Sequence, residues 1–295
     1  MLEKTFYGII PPALTPFTRD GELDMALFEK DIRLLLDAGV HGISIGGSTG
    51  EGAFLDDNEL HQLIAHVRKM DSDIPILAGI IRNSARSAIS AGKAAKAAGA
   101  NGLMITPTSY TPLVPDEDGN YAYFNEISNA IDLPIVIYNV VKQNVISAPL
   151  FKRMAEGIEN VQGIKQSCGS IPALYDMLMT CGKSATIYSA TDEMLCTTYE
   201  LGAAGAISAV LTVFPEICVE MWNEVKAGNV EKARSLQDRI YFVWQAIAGN
   251  QFPIRAKYAL KLLGRDLGYT RNPITSISDA EKERIRSALQ QNGFI

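Results

Sequence analysis

The chain has 295 residues, 47% of them hydrophobic, and a formal net charge of -6; its pI is about 5.2. That length buries a full core and fits one large domain or two small ones. The acidic balance argues against nucleic acid or an anionic membrane as the main partner, but small anionic substrates stay open because they answer to the local field of a pocket. Cys168, Cys181, Cys196 and Cys218 show no CxxC spacing and lie far in sequence from His41, His61 and His66. Structural zinc is therefore not expected, and free thiols in a reducing cytosol are. Residues 1–7 lack the apolar stretch of a signal peptide. No run approaches the roughly 18 apolar residues of a membrane span. The expected address is the cytoplasm, with no membrane partner.

Short apolar runs alternate with longer amphipathic ones. Strands are expected at 8–14, 42–45, 76–78, 102–105, 135–138, 161–164, 186–188 and 206–207. Between them lie helical patterns at 24–37, 56–69, 85–98, 121–130, 148–155, 171–180 and 192–201, each long enough to cross over between parallel strands. Gly39, Gly99 and Gly202 close helices, consistent with left-handed C-caps. Pro75 and Pro134 lead into strands and hold their predecessors extended. Eight strand–helix units in roughly 220 residues predict a (β/α)8 barrel. The competing doubly wound sheet usually has fewer strands, and its dinucleotide form carries a GxGxxG turn after the first strand, which is missing here. The barrel is expected over 1–228 and a C-terminal helical extension over 229–295, with helices at 230–248, 253–263 and 278–290. Such a tail packs on the outer helices or on a neighbouring subunit.

In this fold, chemistry gathers at the C-terminal ends of the strands. The sixth strand runs through Val161-Gln162-Gly163-Ile164 into Lys165. An amine there must be desolvated, and desolvation favours the neutral form. A neutral amine can attack a ketone and form a Schiff base; the alternative is a structural ion pair. The second strand ends in Gly46-Gly47-Ser48-Thr49-Gly50-Glu51-Gly52. Its glycines allow tight turns that expose N–H groups, and with the Ser48 and Thr49 hydroxyls they form a nest suited to a carboxylate. It lacks the lysine of a nucleotide-binding P-loop. Tyr138 ends the fifth strand, either as a core residue with a satisfied hydroxyl or as a proton relay beside Lys165. Asp192 and Glu193 follow the seventh strand. They favour a helix start through the dipole, or bind the hydroxyls of a polyol.

These segments, spaced as they are, resemble the pyruvate-dependent class I aldolase family that holds N-acetylneuraminate lyase and dihydrodipicolinate synthase. The resemblance covers essentially the whole chain. It implies a (β/α)8 barrel with a helical extension, assembled as a homotetramer built as a dimer of dimers. By the same resemblance Lys165 forms the Schiff base with pyruvate or another 2-oxo acid. Tyr138 shuttles protons, and Ser48 and Thr49 hold the carboxylate, with Thr49 also bonded to Tyr138. Backbone at Ala190 and Ile207 lines the pocket. No cofactor and no metal are implied, and the partner is a small 2-oxo acid. The family's synthases carry a second tyrosine after the fourth strand and an arginine after the fifth, where this chain has Ser109 and Gln143. The Gly-Gly-Ser-Thr-Gly-Glu loop and the Asp192-Glu193 pair lean toward the neuraminate lyase side, or toward a 2-oxo-3-deoxy sugar acid aldolase. Val141, Ala190 and Ala209 depart from that pattern as well. A 4-hydroxy-tetrahydrodipicolinate synthase and a sugar acid dehydratase remain the enzymic alternatives. A 2-oxo acid sensor or a structural oligomer is the alternative of another class.

Overall fold

The computed structural model describes residues 6–168 and 170–295. The reading of the N-terminus rests partly on residues 1–5, which lie outside the described residues.

Runs rich in isoleucine, leucine and valine form parallel strands, and capped amphipathic runs form the crossovers. Among the described residues the strands are β1 (Gly8–Ile9), β2 (Ile43–Ile45), β3 (Ile76–Ile80), β4 (Gly102–Ile105), β5 (Ile135–Asn139), β6 (Val161–Gln166), β7 (Thr186–Ser189) and β8 (Gly205–Ala206). The crossover helices are α1 (Met25–Asp37), α2 (Asp57–Met70), α3 (Ala85–Ala97), α4 (Glu117–Ala130), α5 (Ala148–Gly157), α6 (Ile171–Cys181) and α7 (Leu195–Glu200). After β8 come α8 (Val210–Val213), α9 (Pro215–Lys226), α10 (Val230–Ile247), α11 (Phe252–Leu262) and α12 (Asp279–Gln291). The expectation of a (β/α)8 barrel with C-terminal helices is met.

From β1 the sheet passes to β8 and then back through β7 and β6 to β2. It closes between the ends of β1 and β2, through a parallel bridge of Pro12 with Ser44 and a 2.9 Å bond from Ala13 N to Ser44 O. The first strand is far shorter than the expected 8–14. Pro11 and Pro12 have no N–H to give to the ladder, so regular pairing stops at Ile9. The helix expected at 121–130 starts at Glu117, because Asp116 accepts from Gly119 N at 2.8 Å and caps it. Helices α8 and α9 lie outside the expected helical patterns, although Pro215 at the first turn of α9 is a helix-start signal.

Alternation along the strands separates two cores. Phe6, Ile10, Leu77, Met104, Val136 and Tyr188 fill the barrel interior. Ile76, Ala78, Leu103, Ile105, Ile135 and Ile137 face the helices. One strand breaks the alternation. Ile135 pairs with Val161, but Val136 pairs with Gly163, so Gln162 is an extra residue in β6. Beyond this bulge, Tyr138 pairs with Lys165, and Lys165 pairs with Tyr188.

The C-terminal segment is stitched to the barrel by partly buried ion pairs. Arg265 Nη2 donates to Asp31 Oδ1 of α1 at 2.6 Å. Arg271 grips Glu59 of α2 at 2.6 and 2.9 Å and also reaches the carbonyls of Gly21 and Phe54.

Candidate active site

The site is built on the C-terminal rim of β2, β5, β6, β7 and β8. Lys165 lies inside β6, one residue earlier relative to the strand end than expected, and is 4% exposed. Its Nζ sits 3.8 Å from the centroid of the Tyr138 ring, a cation–π distance. Tyr188 flanks it on the other side, with its own hydroxyl turned down to Phe6 O at 2.9 Å. Lys165 therefore stands between two tyrosines in one row of the lumen.

Tyr138 is buried, and its hydroxyl donates to Ser48 Oγ at 3.3 Å. The family resemblance pointed to Thr49 as the partner of that hydroxyl, and this is corrected: Ser48 takes the bond. Thr49 itself is buried beside it, while Ser48 is exposed at the mouth. The turn carrying them is forced by backbone proximity. Gly46 has φ +80, and a Cβ there would lie 2.7 Å from Leu60 Cδ1. A Cβ on Gly52 would lie 1.6 Å from Gly46 O. Only glycine meets both demands. Gly52 N donates to Gly47 O at 3.0 Å and Glu51 N to Ser48 O at 3.2 Å, which closes the turn. The N–H groups of Ser48, Thr49 and Gly50 take no part in those closing bonds.

Asn139 braces the rim beside Lys165. Its Nδ2 donates to Gln166 Oε1 at 2.8 Å and to Ile146 O at 2.9 Å, and its Oδ1 accepts from Ile146 N at 2.9 Å. A buried amide with these bonds locks the ends of β5 and β6 together.

Asp192 lies on the β7 loop. Its Oδ1 accepts from Ser208 Oγ and, at 2.8 Å, from Val210 N at the start of α8. The residue is partly exposed, yet burial of its carboxyl pushes the pKa up to about 6, against the pull of the Ser208 and Val210 bonds and of the Lys165 charge. Glu193 turns the other way. Its Oε1 accepts from Trp244 Nε1 at 3.2 Å and Gln245 Nε2 at 3.5 Å, both on α10. The acidic pair expected to bind polyol hydroxyls together is split, with one member at the mouth and one on the outer helix. Ala190 lies on the rim of the same loop, and Ile207 is fully buried, its N donating to Ser189 O at 3.0 Å.

The β4 and β5 loops are tied to each other. Asn83 Oδ1 accepts from Ser109 N at 2.7 Å and Ser109 Oγ at 3.0 Å. Gln143 Nε2 donates to Ser109 O at 2.6 Å. Ser109 and Gln143 are thus both used in holding loops.

Sequence reasoning did not find Lys257, which donates to Glu51 Oε1 at 2.9 Å from the C-terminal helices. The signal was present: Pro253, Ala256, Lys257 and Leu260 are the buried face of α11, at i, i+3, i+4 and i+7 spacing. A lysine on an apolar stripe asks for a partner. Burial lowers the Lys257 pKa and raises that of Glu51, each offset by the other's charge.

Among the described residues no cluster of histidine, cysteine, aspartate or glutamate could hold a metal ion, and no helix is long and apolar enough to cross a membrane. The four cysteines are free.

A family model, the dihydrodipicolinate synthetase family, matches residues 5–292. The chain belongs to that family. It is 31% identical over 287 residues to the 4-hydroxy-tetrahydrodipicolinate synthase of Methanothrix thermoacetophila, covering 96% of each chain. It resembles the crystal structure of dihydrodipicolinate synthase from Thermotoga maritima, with a TM-score of 0.93, 29% identity, and 99% of this chain and 100% of the other covered. It equally resembles the chloride-inhibited enzyme of Acinetobacter baumannii complexed with pyruvate, with a TM-score of 0.93, 30% identity and coverage of 99% and 100%. As a family member the chain is a carbon–carbon lyase of the class I, pyruvate-dependent aldolase type. These relatives carry the synthase name, and the lean toward the neuraminate lyase side finds no support among them.

Proposed function

We propose that the chain makes or breaks the carbon–carbon bond between pyruvate and an aldehyde through a Schiff base on Lys165. One observation carries this reading: a buried amine in the lumen, 3.8 Å from the ring of a tyrosine whose hydroxyl reaches the strand-2 turn. In this reading Ser48, Thr49 and the turn's N–H groups hold the pyruvate carboxylate. Ala190 and Ile207 contribute backbone to the same pocket. Lys165 Nζ adds to the ketone carbon, water leaves, and an imine forms. Loss of a proton from the adjacent methyl gives an enamine, whose carbon attacks the aldehyde. Hydrolysis then returns the free amine. Tyr138 carries protons between nitrogen, oxygen and the bound intermediates.

For the aldehyde we read aspartate semialdehyde first, making the chain a 4-hydroxy-tetrahydrodipicolinate synthase. The name shared by relatives about one-third identical along nearly the full chain supports it. A second reading is cleavage of a polyhydroxylated 2-oxo acid. It is favoured by the loop duties of Ser109 and Gln143, which leave no guanidinium fork at those positions for the semialdehyde carboxylate. We read the working form as a cytoplasmic homotetramer, a dimer of dimers. The division into a barrel over 1–228 and an extension over 229–295 is kept as well, supported by the left-handed Gly228 that follows α9.

Borohydride reduction in the presence of pyruvate tests the mechanism. It should add one pyruvate-derived mass per chain, on Lys165, and Lys165→Arg should abolish it, because arginine stays protonated. Labelling elsewhere in an active preparation refutes the Schiff base. Comparing kcat/KM for aspartate semialdehyde condensation with that for pyruvate release from sugar acids decides the acceptor.

A further inference from the structure

The strand-2 turn is anchored from far along the chain. Lys257 on α11 is 4% exposed, and a buried ammonium is tolerated only when its protons are placed. All three are placed. Nζ donates to Glu51 Oε1 at 2.9 Å, to Thr15 O at 2.6 Å and to Tyr269 O at 2.5 Å. Glu51 belongs to the turn, and its other oxygen accepts from Arg271 N at 2.8 Å. Glu51 also sits in the left-handed region, at φ 55, a conformation a non-glycine residue keeps only when its surroundings hold it there. Thr15, whose carbonyl Lys257 grips, sends its own Oγ1 to Gly50 O at 2.6 Å. One ammonium thus fixes the turn on both flanks of Thr49: through the side chain of Glu51, a residue whose backbone N donates to Ser48 O, and through Thr15, whose Oγ1 donates to Gly50 O.

We propose that Lys257 is a positioning residue for the 2-oxo acid carboxylate, acting through Glu51 and Thr15 on the turn that carries Ser48 and Thr49. The inference rests on the Schiff-base reading given above. Lys257 touches no reacting atom. Its role is to hold the hydroxyls and N–H groups of residues 48–50 at one spacing, so that the carboxylate meets donors already in place. A pair serving stability alone would lower the melting temperature and leave the concentration of pyruvate needed for half-saturation where it was.

Two variants and two readouts test this. The double variant Lys257→Met with Glu51→Gln removes both charges together, so that neither is orphaned. Thr15→Val keeps both charges and removes one hydroxyl of nearly equal volume. The first readout is the pyruvate concentration giving half-maximal borohydride trapping. The second is amide hydrogen exchange across residues 46–52 in the protein without pyruvate. In the double variant the half-saturating concentration should rise at least about tenfold, with trapping at saturation still complete and on Lys165, and exchange across the turn should quicken at least about tenfold. Thr15→Val should move both in the same direction by less. Either readout unchanged in a variant that still melts cooperatively overturns the proposal. If the double variant does not fold, Thr15→Val decides by the same criterion. If the unaltered protein traps no pyruvate at all, the Schiff-base reading falls, and the exchange arm still decides whether Lys257 fixes the turn.

Discussion

Tyr138 occupies two environments at once. Its ring packs in the lumen against Lys165, and its hydroxyl leaves the apolar layer to reach Ser48. Removing the oxygen separates them. Tyr138→Phe should leave folding nearly intact, because the ring still packs and a single hydrogen bond contributes only about 0.5–1.5 kcal/mol. Turnover should fall by roughly 10²–10⁴ if the hydroxyl transfers protons. Steady-state kinetics beside a melting curve checks both, and near-parent turnover returns Tyr138 to the core residues. Asp192 gives a second handle at this scale. Its carboxyl titrates near 6 in the folded protein against an ordinary value of 3.8, so the folded state binds the proton more tightly. Its contribution to stability is then full below about pH 4 and is lost as the pH rises through about 6. Asp192→Asn keeps an acceptor for Val210 N and has nothing to titrate. Its melting temperature should gain on the parent's between about pH 4 and 6 and run parallel above about pH 7. Glu51 and Asp31 are raised by burial too, but they are common to both proteins and cancel in the difference.

At the scale of elements, what was legible followed from periodicity and what was not followed from tertiary bonds. Strands β3 to β7 start at the residues expected from the sequence, and α1, α2 and α3 are set by caps visible in sequence at Asp24, Asp56 and Ser84. Helix α8 has only four residues, too few for any period. Its N-terminus is held by Asp192 across the rim, and its Thr212 and Val213 carbonyls accept from Arg265. No local pattern announces a helix defined that way. Lys165, Tyr138, Ser48 and Thr49 were legible because each sits at a strand end. The direction of Glu193 was not, because it depends on where Trp244 and Gln245 of α10 come to rest. The strand-2 turn offers a direct test of its backbone demand. Gly46→Ala places a Cβ 2.7 Å from Leu60 Cδ1 at a positive φ of 80. It should destabilise the protein by about 1–3 kcal/mol and weaken pyruvate trapping, measured by denaturant unfolding and by borohydride reduction.

At the scale of the whole molecule, the single chain leaves Tyr110 60% and Leu113 72% exposed on the loop after β4, and Phe242 64% exposed on α10. Isolated apolar side chains on a surface need no explanation, but loops and helix faces carrying aromatic residues of this size suit subunit contacts. If the chain works as a dimer of dimers, light scattering should give four times the 32.1 kDa chain mass. Leu113→Glu should then lower that mass, and Phe242→Glu, on a different face, should do so independently. A parent that scatters as 32.1 kDa at micromolar concentration ends the tetramer reading. The buried and partly buried links of Lys257, Arg265 and Arg271 to the strand-2 turn, α1 and α2 also predict that the chain unfolds as one unit, with no separate transition for the C-terminal helices.

The extra residue in β6 has its own consequence. Val161 and Ile164 both pack outward under the helices although they stand three positions apart, and Lys165 faces inward. Were Gln162 paired in regular alternation instead of set aside as an extra residue, Gly163 and Lys165 would turn outward, and the amine would point into the layer of α5 and α6. Parity, and not residue type alone, decides whether this strand presents a nucleophile. Loss of residue 162 leaves Val161 outward and Lys165 inward by plain alternation, whereas a strand that keeps all six residues and loses the bulge turns the amine outward with every residue of the Gly163-Ile164-Lys165 motif preserved. A homologous sequence that keeps the lysine but lacks one residue before it should therefore still present the amine to the lumen, on a regular strand, and the residue count between Val161 and Lys165 tells whether the strand needs a bulge to do so.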